Sequence, residues 1–386
     1  MAPEQIEGLW REQGPGTDLY ALGCVAFELS TGWPPFTGTS PKEVALGHLS
    51  SPLPPLRAMT ALPEGFEEWL NRMLAKEPAD RFQCAADAAY ALSQIHEGAE
   101  AATTLPGPRR SKSASPTWTF MDIDLPRRTE RREDSGPAIH PEDSPPLTDD
   151  WRTVAAEPEG FPLSGATMSL VGIKHSHMVG RESERDVLWS NLYEVARSGY
   201  PRGVVIKGIA GIGKRQLVEW LCRTAHEAGM ATSLTAQHQQ LKGPTHGLTR
   251  MFANFMQTRG LNGPEVFKRA DTVLSSLGVK DSYDRESMAR ALLASSGAVS
   301  SPDTIPMGSL RERLALFERI LQHLTVHRPI ILHISEGQWA SEGLQLSLRM
   351  LAERPRPLPI LIVVTCDQTL LQQRPQESQH LDAISD

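Results

Sequence analysis

The chain has 386 residues, room for two or three domains at ~100–200 residues each. Hydrophobic residues at 40% and charged residues at 22% match soluble globular averages, which excludes wholesale disorder and fibrous classes. A net charge of −7 argues against a nucleic-acid footprint spread over the whole protein. The longest apolar runs, Ile330–Leu332 and Ile360–Thr365, fall far short of the ~18–20 residues of a membrane span. The first residues, MAPEQIEGLW, lack the basic-then-apolar pattern of a signal peptide. Cys24, Cys84, Cys222 and Cys366 have no CxxC spacing and read as reduced core thiols of a cytoplasmic protein.

Residues 1–97 show helical periodicity broken by turns. Asp18–Ser30 is apolar almost all round, the pattern of a buried helix, and Thr31-Gly32 followed by Pro34-Pro35 ends it. Pro41–Leu49 reads as a short helix capped by Ser40, Glu64–Lys76 as an amphipathic helix, and Phe82–Ile95 as an alanine-rich one. Residues 98–165 differ in kind. They hold ten prolines among serines, threonines and alternating charges, and cannot bury enough apolar surface to offset their ordering entropy. A disordered linker is expected there, with Trp118, Phe120 and Trp151 incidental rather than docking anchors. Ser111, Ser113, Ser115, Thr129 and Ser135 would be self-phosphorylation candidates, although such composition is ordinarily plain linker.

From residue 166 to 386 helices alternate with strands. Helices are expected at Arg181–Ala196, Lys214–Ala228, Leu310–Val326 and Glu342–Glu353, and strands at Gly203–Lys207, Ile330–Ile334 and Ile360–Thr365. That alternation means a parallel α/β sheet. Gly208-Ile-Ala-Gly211-Ile212-Gly213-Lys214 lies between the first strand and the next helix and matches GxxxxGK. Glycines there let the backbone wrap round a phosphate of ATP or ADP, which meets amide groups and the positive end of the helix. Lys214 supplies a point charge. The residue after the lysine should carry a hydroxyl for Mg²⁺, but it is Arg215, whose guanidinium ligates no cation yet would partly offset a missing metal charge.

The segment Ile330-Ile-Leu-His-Ile-Ser335-Glu336-Gly-Gln-Trp339-Ala-Ser341 resembles the second nucleotide motif of AAA-like signal-transduction ATPases. Their opening signature is matched by Met178-Val-Gly180-Arg181-Glu182-Ser-Glu184, and Leu361–Thr365 ends a strand where a sensor polar residue is expected. The resemblance covers roughly residues 175–370 and implies that Gly180 and Arg181 join the nucleotide site. Ser335 stands where the metal-binding acid belongs and Glu336 where the catalytic acid belongs; sliding the alignment by one residue makes Glu336 the metal acid and leaves no catalytic one. Either way a carboxylate is missing, and no metal ligand is assigned. The resemblance implies a P-loop NTPase domain, here without its lid.

Met1-Ala-Pro3-Glu4-Gln5 resembles the motif that closes the activation segment of bacterial serine/threonine protein kinases. Thr17-Asp18-Leu-Tyr20-Ala-Leu22-Gly23, Leu29-Ser-Thr31-Gly32-Trp-Pro34-Pro35-Phe36 and Leu74-Ala-Lys-Glu77-Pro78-Ala-Asp80-Arg81-Phe82 follow in the order of that family's C-lobe. The resemblance implies an all-α C-lobe, a buried Glu4–Arg81 ion pair and an Asp18 that holds the catalytic loop's backbone; for an isolated helix, Asp18 would merely be a cap. The family's glycine-rich loop, strand lysine and catalytic and metal-binding aspartates lie upstream of its first matched motif, so no residue here is assigned to phosphoryl transfer by a kinase. The lobe is expected to expose an apolar face and to be marginal by itself, and the start is expected to reflect an internal codon or a broken gene.

The expectation is thus multidomain: a kinase C-lobe at 1–97, a linker at 98–165 and an α/β P-loop ATPase domain at 166–386. ATP binding would act as a regulatory switch, and protein Ser/Thr phosphorylation would belong to the complete signalling protein. The alternative is a non-hydrolysing pseudo-ATPase scaffold. ATP or ADP is the expected ligand, with Mg²⁺ open, and protein substrates or signalling partners belong to the complete protein; no membrane span or nucleic acid is expected.

Overall fold

Proline at the first helical position opens three helices of the N-terminal region, α1 (Pro3–Ile6), α2 (Pro15–Thr31) and α3 (Pro41–Ser50). They appear in a computed structural model that describes residues 1–95, 145, 148–154, 178, 180–240, 247–295, 309–352 and 357–385. Two units divide the chain, 1–145 and 146–386. Nearly all of the expected linker, with Trp118, Phe120 and the five candidate phosphorylation sites, lies outside the described residues.

The first unit is helical. Ser40 caps α3 by accepting from the Glu43 amide, and α2 ends at Gly32 in the left-handed conformation, both as expected. Helices α4 (Phe66–Met73) and α5 (Ala85–Ser93) complete it, each shorter than the periodicity predicts. Gly23 sits where α2 crosses α4; a Cβ there would lie 3.0 Å from that of Met73, tighter than an ordinary contact, so a larger residue would push the two helices apart. Contrary to the expectation of a helix buried all round, α2 buries only one face. Leu19, Tyr20 and Phe27 pack against Leu70, Met73 and Leu74, while Leu22, Val25 and Leu29 are exposed, as is Trp33.

Glu4 and Arg81 tie the ends of this unit together. Arg81 donates from Nη1 and Nη2 to the two carboxylate oxygens of Glu4 at 2.8 and 2.9 Å, and both residues are buried. Further guanidinium donors reach the Gly16, Ala75 and Lys76 carbonyls, and Thr17 Oγ1 donates to Glu4 at 2.7 Å. Every polar atom brought out of water has a partner, which is what a buried pair requires. Asp18 is exposed in the first turn of α2 and makes no side-chain cap there.

The second unit is a four-stranded parallel sheet flanked by helices. Strands β1 (Arg202–Gly208), β2 (Thr232–Gln237), β3 (Ile330–Ser335) and β4 (Ile360–Asp367) lie in the order β1-β4-β3-β2. Alternate residues of β3 and β4 face opposite layers. Ile331, Leu361 and Val363 pack on α7 (Glu182–Ser198) and α8 (Lys214–Glu227). Ile330, Leu332, Ile334, Ile360, Ile362 and Val364 pack on the other layer, with α12 (Leu310–Leu324) and α13 (Ser341–Ala352). Strand β2 and the helices α9 (Gly247–Phe255), α10 (Gly263–Ser276) and α11 (Ser282–Ser295) were not anticipated. Two short helices, α14 (Gln368–Leu371) and α15 (Pro375–Ser385), follow β4. No described helix is long and apolar enough to cross a membrane.

A short helix, α6 (Trp151–Val154), corrects the reading of Trp151 as incidental: the ring is buried in the second unit between α7 and α8. Its burial among Leu188, Trp189, Leu217 and Trp220 outweighs the polar composition of its neighbours.

Arg81→Ala strands the Glu4 carboxylate in the interior and is expected to cost about 3–5 kcal/mol of first-unit stability. Hydrogen exchange of the α4 amides checks it. Burial alone would push the Glu4 carboxyl up, but hydrogen bonds from Arg81 and Thr17 and the Arg81 charge hold it below its ordinary 4.5. The stabilisation is therefore present above about pH 4.5 and is lost as the pH falls through the lowered folded value.

Candidate functional site

Strand β1 ends at Gly208, and helix α8 starts at Lys214, with Gly213 as its N-cap. Gly211 and Gly213 hold φ of 78° and 91°, in the left-handed region where a side chain is strained. These two positions turn the chain so that the first amides of α8, which have no partner within the helix, end the loop. Positive helix-end potential and free amide donors together form a seat for phosphate. Gly208 has a different reason: a Cβ there would come within 3.1 Å of Ile212 Cγ2.

Lys214 folds back over the loop. Its Nζ donates to the Gly208 carbonyl at 2.8 Å and the Ile209 carbonyl at 2.7 Å. A phosphate oxygen would compete with those carbonyls for the same ammonium donors. Arg181, the N-cap of α7 with φ of 54°, donates from Nη2 to the Ile212 carbonyl. Arg181 of the opening signature is thereby brought to the loop by direct contact, and Gly180 before it holds a positive φ of 76°. Arg215 does not touch the loop. It is 74% exposed and pairs with Glu219 one turn on, Nε to Oε1 at 2.6 Å.

Ser335 closes β3, half-buried, and Glu336 follows, exposed in the left-handed conformation with φ of 57°. Because β4 lies between β1 and β3, neither residue is on the strand next to the phosphate loop. The position beside Gly208 belongs to Asp367, its register partner. Thr365, expected at a strand end, is instead buried two residues short of it and bonds to His333 Nε2 at 3.2 Å. The fully buried Gln338 links the two acidic residues. Its Nε2 donates to Glu336 Oε2 at 2.7 Å and its Oε1 accepts from the Asp367 amide at 3.1 Å.

Asp367, Gln338 and His333 escaped the sequence reading. Burial would raise the Asp367 carboxyl, but the Thr369 and Leu370 amides, the Thr369 hydroxyl and the Lys214 charge hold it below the ordinary range. Burial pushes the His333 imidazole down to about 4. Burial likewise pushes the Cys366 thiol up to about 11, so it stays protonated.

The donor set fits the phosphates of a nucleotide: loop amides, Lys214 and the nearby Arg181. It does not fit Mg²⁺ in the manner of a P-loop enzyme, because Arg215 offers no oxygen ligand and Ser335 no carboxylate. Among the described residues, no group of three or more His, Cys, Asp or Glu side chains is placed to hold a metal ion.

Comparison with known proteins agrees with this geometry. Residues 177–363 match the AAA ATPase domain family. They constitute an AAA ATPase domain of the P-loop class, which implies binding of ATP or ADP. Part of the chain is also related to bacterial serine/threonine protein kinases. It is 33% identical over 139 residues to the serine/threonine-protein kinase PknB of Mycolicibacterium smegmatis, covering 33% of this chain and 21% of that protein. It is 38% identical over 99 residues to PknB of Mycobacterium tuberculosis, covering 25% of this chain and 16% of that protein. A probable serine/threonine-protein kinase of Corynebacterium efficiens is 38% identical over 104 residues, 26% of this chain and 16% of the relative. The chain thus spans about a fifth or less of the length of these curated relatives.

His333 is neutral in the folded unit, whereas an unfolded histidine takes up a proton below about 6.5. Stability of the α/β unit is therefore expected to be full above pH 6.5 and to fall as the pH drops toward 4. A urea titration series, compared with His333→Gln, isolates this component: the variant is expected to lose that part of the pH dependence.

Proposed function

We propose that the α/β unit binds ATP or ADP as a regulatory switch, with weak or absent turnover, within a kinase-related signalling protein. One observation carries this reading: the phosphate loop keeps its glycine turns, helix start and Lys214, while both protein contacts to the metal are replaced, by Arg215 and Ser335. Binding depends on the retained features and hydrolysis on the replaced ones, so the two are expected to separate. Arg181 would steady the loop through the Ile212 carbonyl. Arg215 is tethered to Glu219 only by an exposed ion pair, which is worth little in water and leaves the guanidinium free to turn toward a bound triphosphate. Glu336 is the acid left to orient a water, and Gln338 holds its side chain.

For the first unit, the Glu4–Arg81 pair and the ordered motifs support a kinase C-lobe in which that pair pins the activation segment. Phosphorylation of protein serine or threonine is proposed for the complete kinase and is assigned to no residue of this chain. The non-hydrolysing scaffold remains the second reading, favoured by the same two replacements; it differs in having no nucleotide-dependent change of state.

Calorimetric titration of the full chain with ATP and ADP tests the site. Lys214→Ala is expected to weaken affinity at least tenfold, since it removes a charge-assisted bond to phosphate. Unchanged affinity would refute the loop assignment. Steady Mg²⁺-dependent hydrolysis at about 1 per second or faster, an ordinary enzymatic rate, would refute weak turnover.

A further inference from the structure

Trp151 is placed by more than burial. Its indole Nε1 donates to Asp186 Oδ1 at 2.8 Å, and its ring meets Trp220 edge-on, centroids 5.2 Å apart. The Arg185 guanidinium lies over the Trp151 ring at 4.2 Å and over the Trp220 ring at 5.3 Å. Arg152 pairs with the same Asp186 carboxylate at 2.8 Å, and Trp189 Nε1 donates to the Thr148 carbonyl at 3.0 Å. Residues 148–154 are therefore fastened to α7 by Arg185, Asp186 and Trp189, and to α8 by Trp220.

Those are the two helices whose starts meet at the phosphate loop. Arg185 is one turn beyond Arg181, which holds the Ile212 carbonyl. Trp220 is six residues beyond Lys214, about 9 Å along the helix at 1.5 Å per residue. A phosphate that takes Lys214 from the Gly208 and Ile209 carbonyls removes two bonds that close the loop. The Arg181 bond to the Ile212 carbonyl then remains as the brace from the first turn of α7, and Trp151 sits between that helix and α8.

We propose that residues 148–154 form a strap whose seating between α7 and α8 is coupled to nucleotide occupancy of the phosphate loop. The inference rests on the nucleotide-binding reading of that loop and makes the strap the element that reports it. A seated strap fixes α7 against α8 and keeps Arg181 on the Ile212 carbonyl, so it favours the nucleotide-ready loop. Linkage then requires bound nucleotide to tighten the strap by the same factor. The cleft between α7 and α8 is thus a recognition site for a tryptophan–arginine peptide, occupied in cis by the chain itself.

The test uses the full chain, with ATP as the probe. Saturating ATP is expected to slow hydrogen exchange of residues 148–154 at least fivefold, and to leave it unchanged in Lys214→Ala. Trp151→Ala is expected to weaken ATP affinity about fivefold or more, in the range of ordinary coupling factors. An excess of a synthetic peptide of residues 146–154 is expected to restore it. Asp186→Asn, which keeps an acceptor for Trp151 Nε1 but removes the charge that pairs with Arg152, gives a second variant should Trp151→Ala unfold. ATP that binds without altering strap exchange, or straps weakened with affinity unchanged, overturns the coupling alone. Failure of the unmodified chain to bind ATP overturns both the coupling and the phosphate-loop reading.

Discussion

The first turn of a helix cannot pair its own amide groups, and in α8 that turn begins at Lys214, directly after two glycines with positive φ. The rest of the α/β unit is arranged about this constraint. Strand β1 delivers the chain to the loop and α7 braces it through Arg181. Strand β4, inserted between β1 and β3, sets the distances at which acidic groups stand: Asp367 beside Gly208, and Ser335 and Glu336 a further strand away. The sheet order thus decides which side chains can face a phosphate, whatever the loop sequence alone suggests.

Charge around the loop is divided in an unusual way. Cations come from the chain itself, Lys214 on the loop, Arg181 against it and Arg215 at the start of the helix, rather than through ligands for a metal. Asp367 stands beside Gly208, and the buried Gln338 bonds both its backbone amide and the Glu336 carboxylate. Such a site can hold phosphate oxygens by preorganised donors, while Arg215 and Ser335 stand where the resemblance places the two protein contacts to a metal. The first unit follows the same principle in a different place: Glu4 and Arg81 are tolerable in its interior because every donor and acceptor around them is used.

Strands β3 and β4 were legible because parallel strands covered on both faces are continuous branched apolar runs, and the half-buried edge strand β1 because its Val204-Val205-Ile206 run leads into the glycine loop. Strand β2, TSLTAQ, buries only Leu234 and Ala236, with polar residues between and around them, and gives no such run. The helices over 247–295 carry no motif, and their packing on β2 and on one another is a tertiary matter. Asp367 was missed because a polar Thr365 looks like a strand end, although its hydroxyl is spent inside on His333. Trp151 was misread because the composition of a seventy-residue window hid one side chain whose partners, Asp186 and Trp220, lie 35 and 69 residues on. The Glu4–Arg81 pair, 77 residues apart, was reached through family resemblance and could not have come from periodicity.

The central claim is that this phosphate loop holds a nucleotide by its own cations and not by a metal. The affinity of the full chain for ATP, measured by titration calorimetry in excess Mg²⁺ and again with the metal chelated, tests it most directly. Retention of affinity within about threefold on chelation, less than 1 kcal/mol, is the predicted result. A loss of a hundredfold or more would mean that a metal ligated by this chain carries the binding, and would contradict the account.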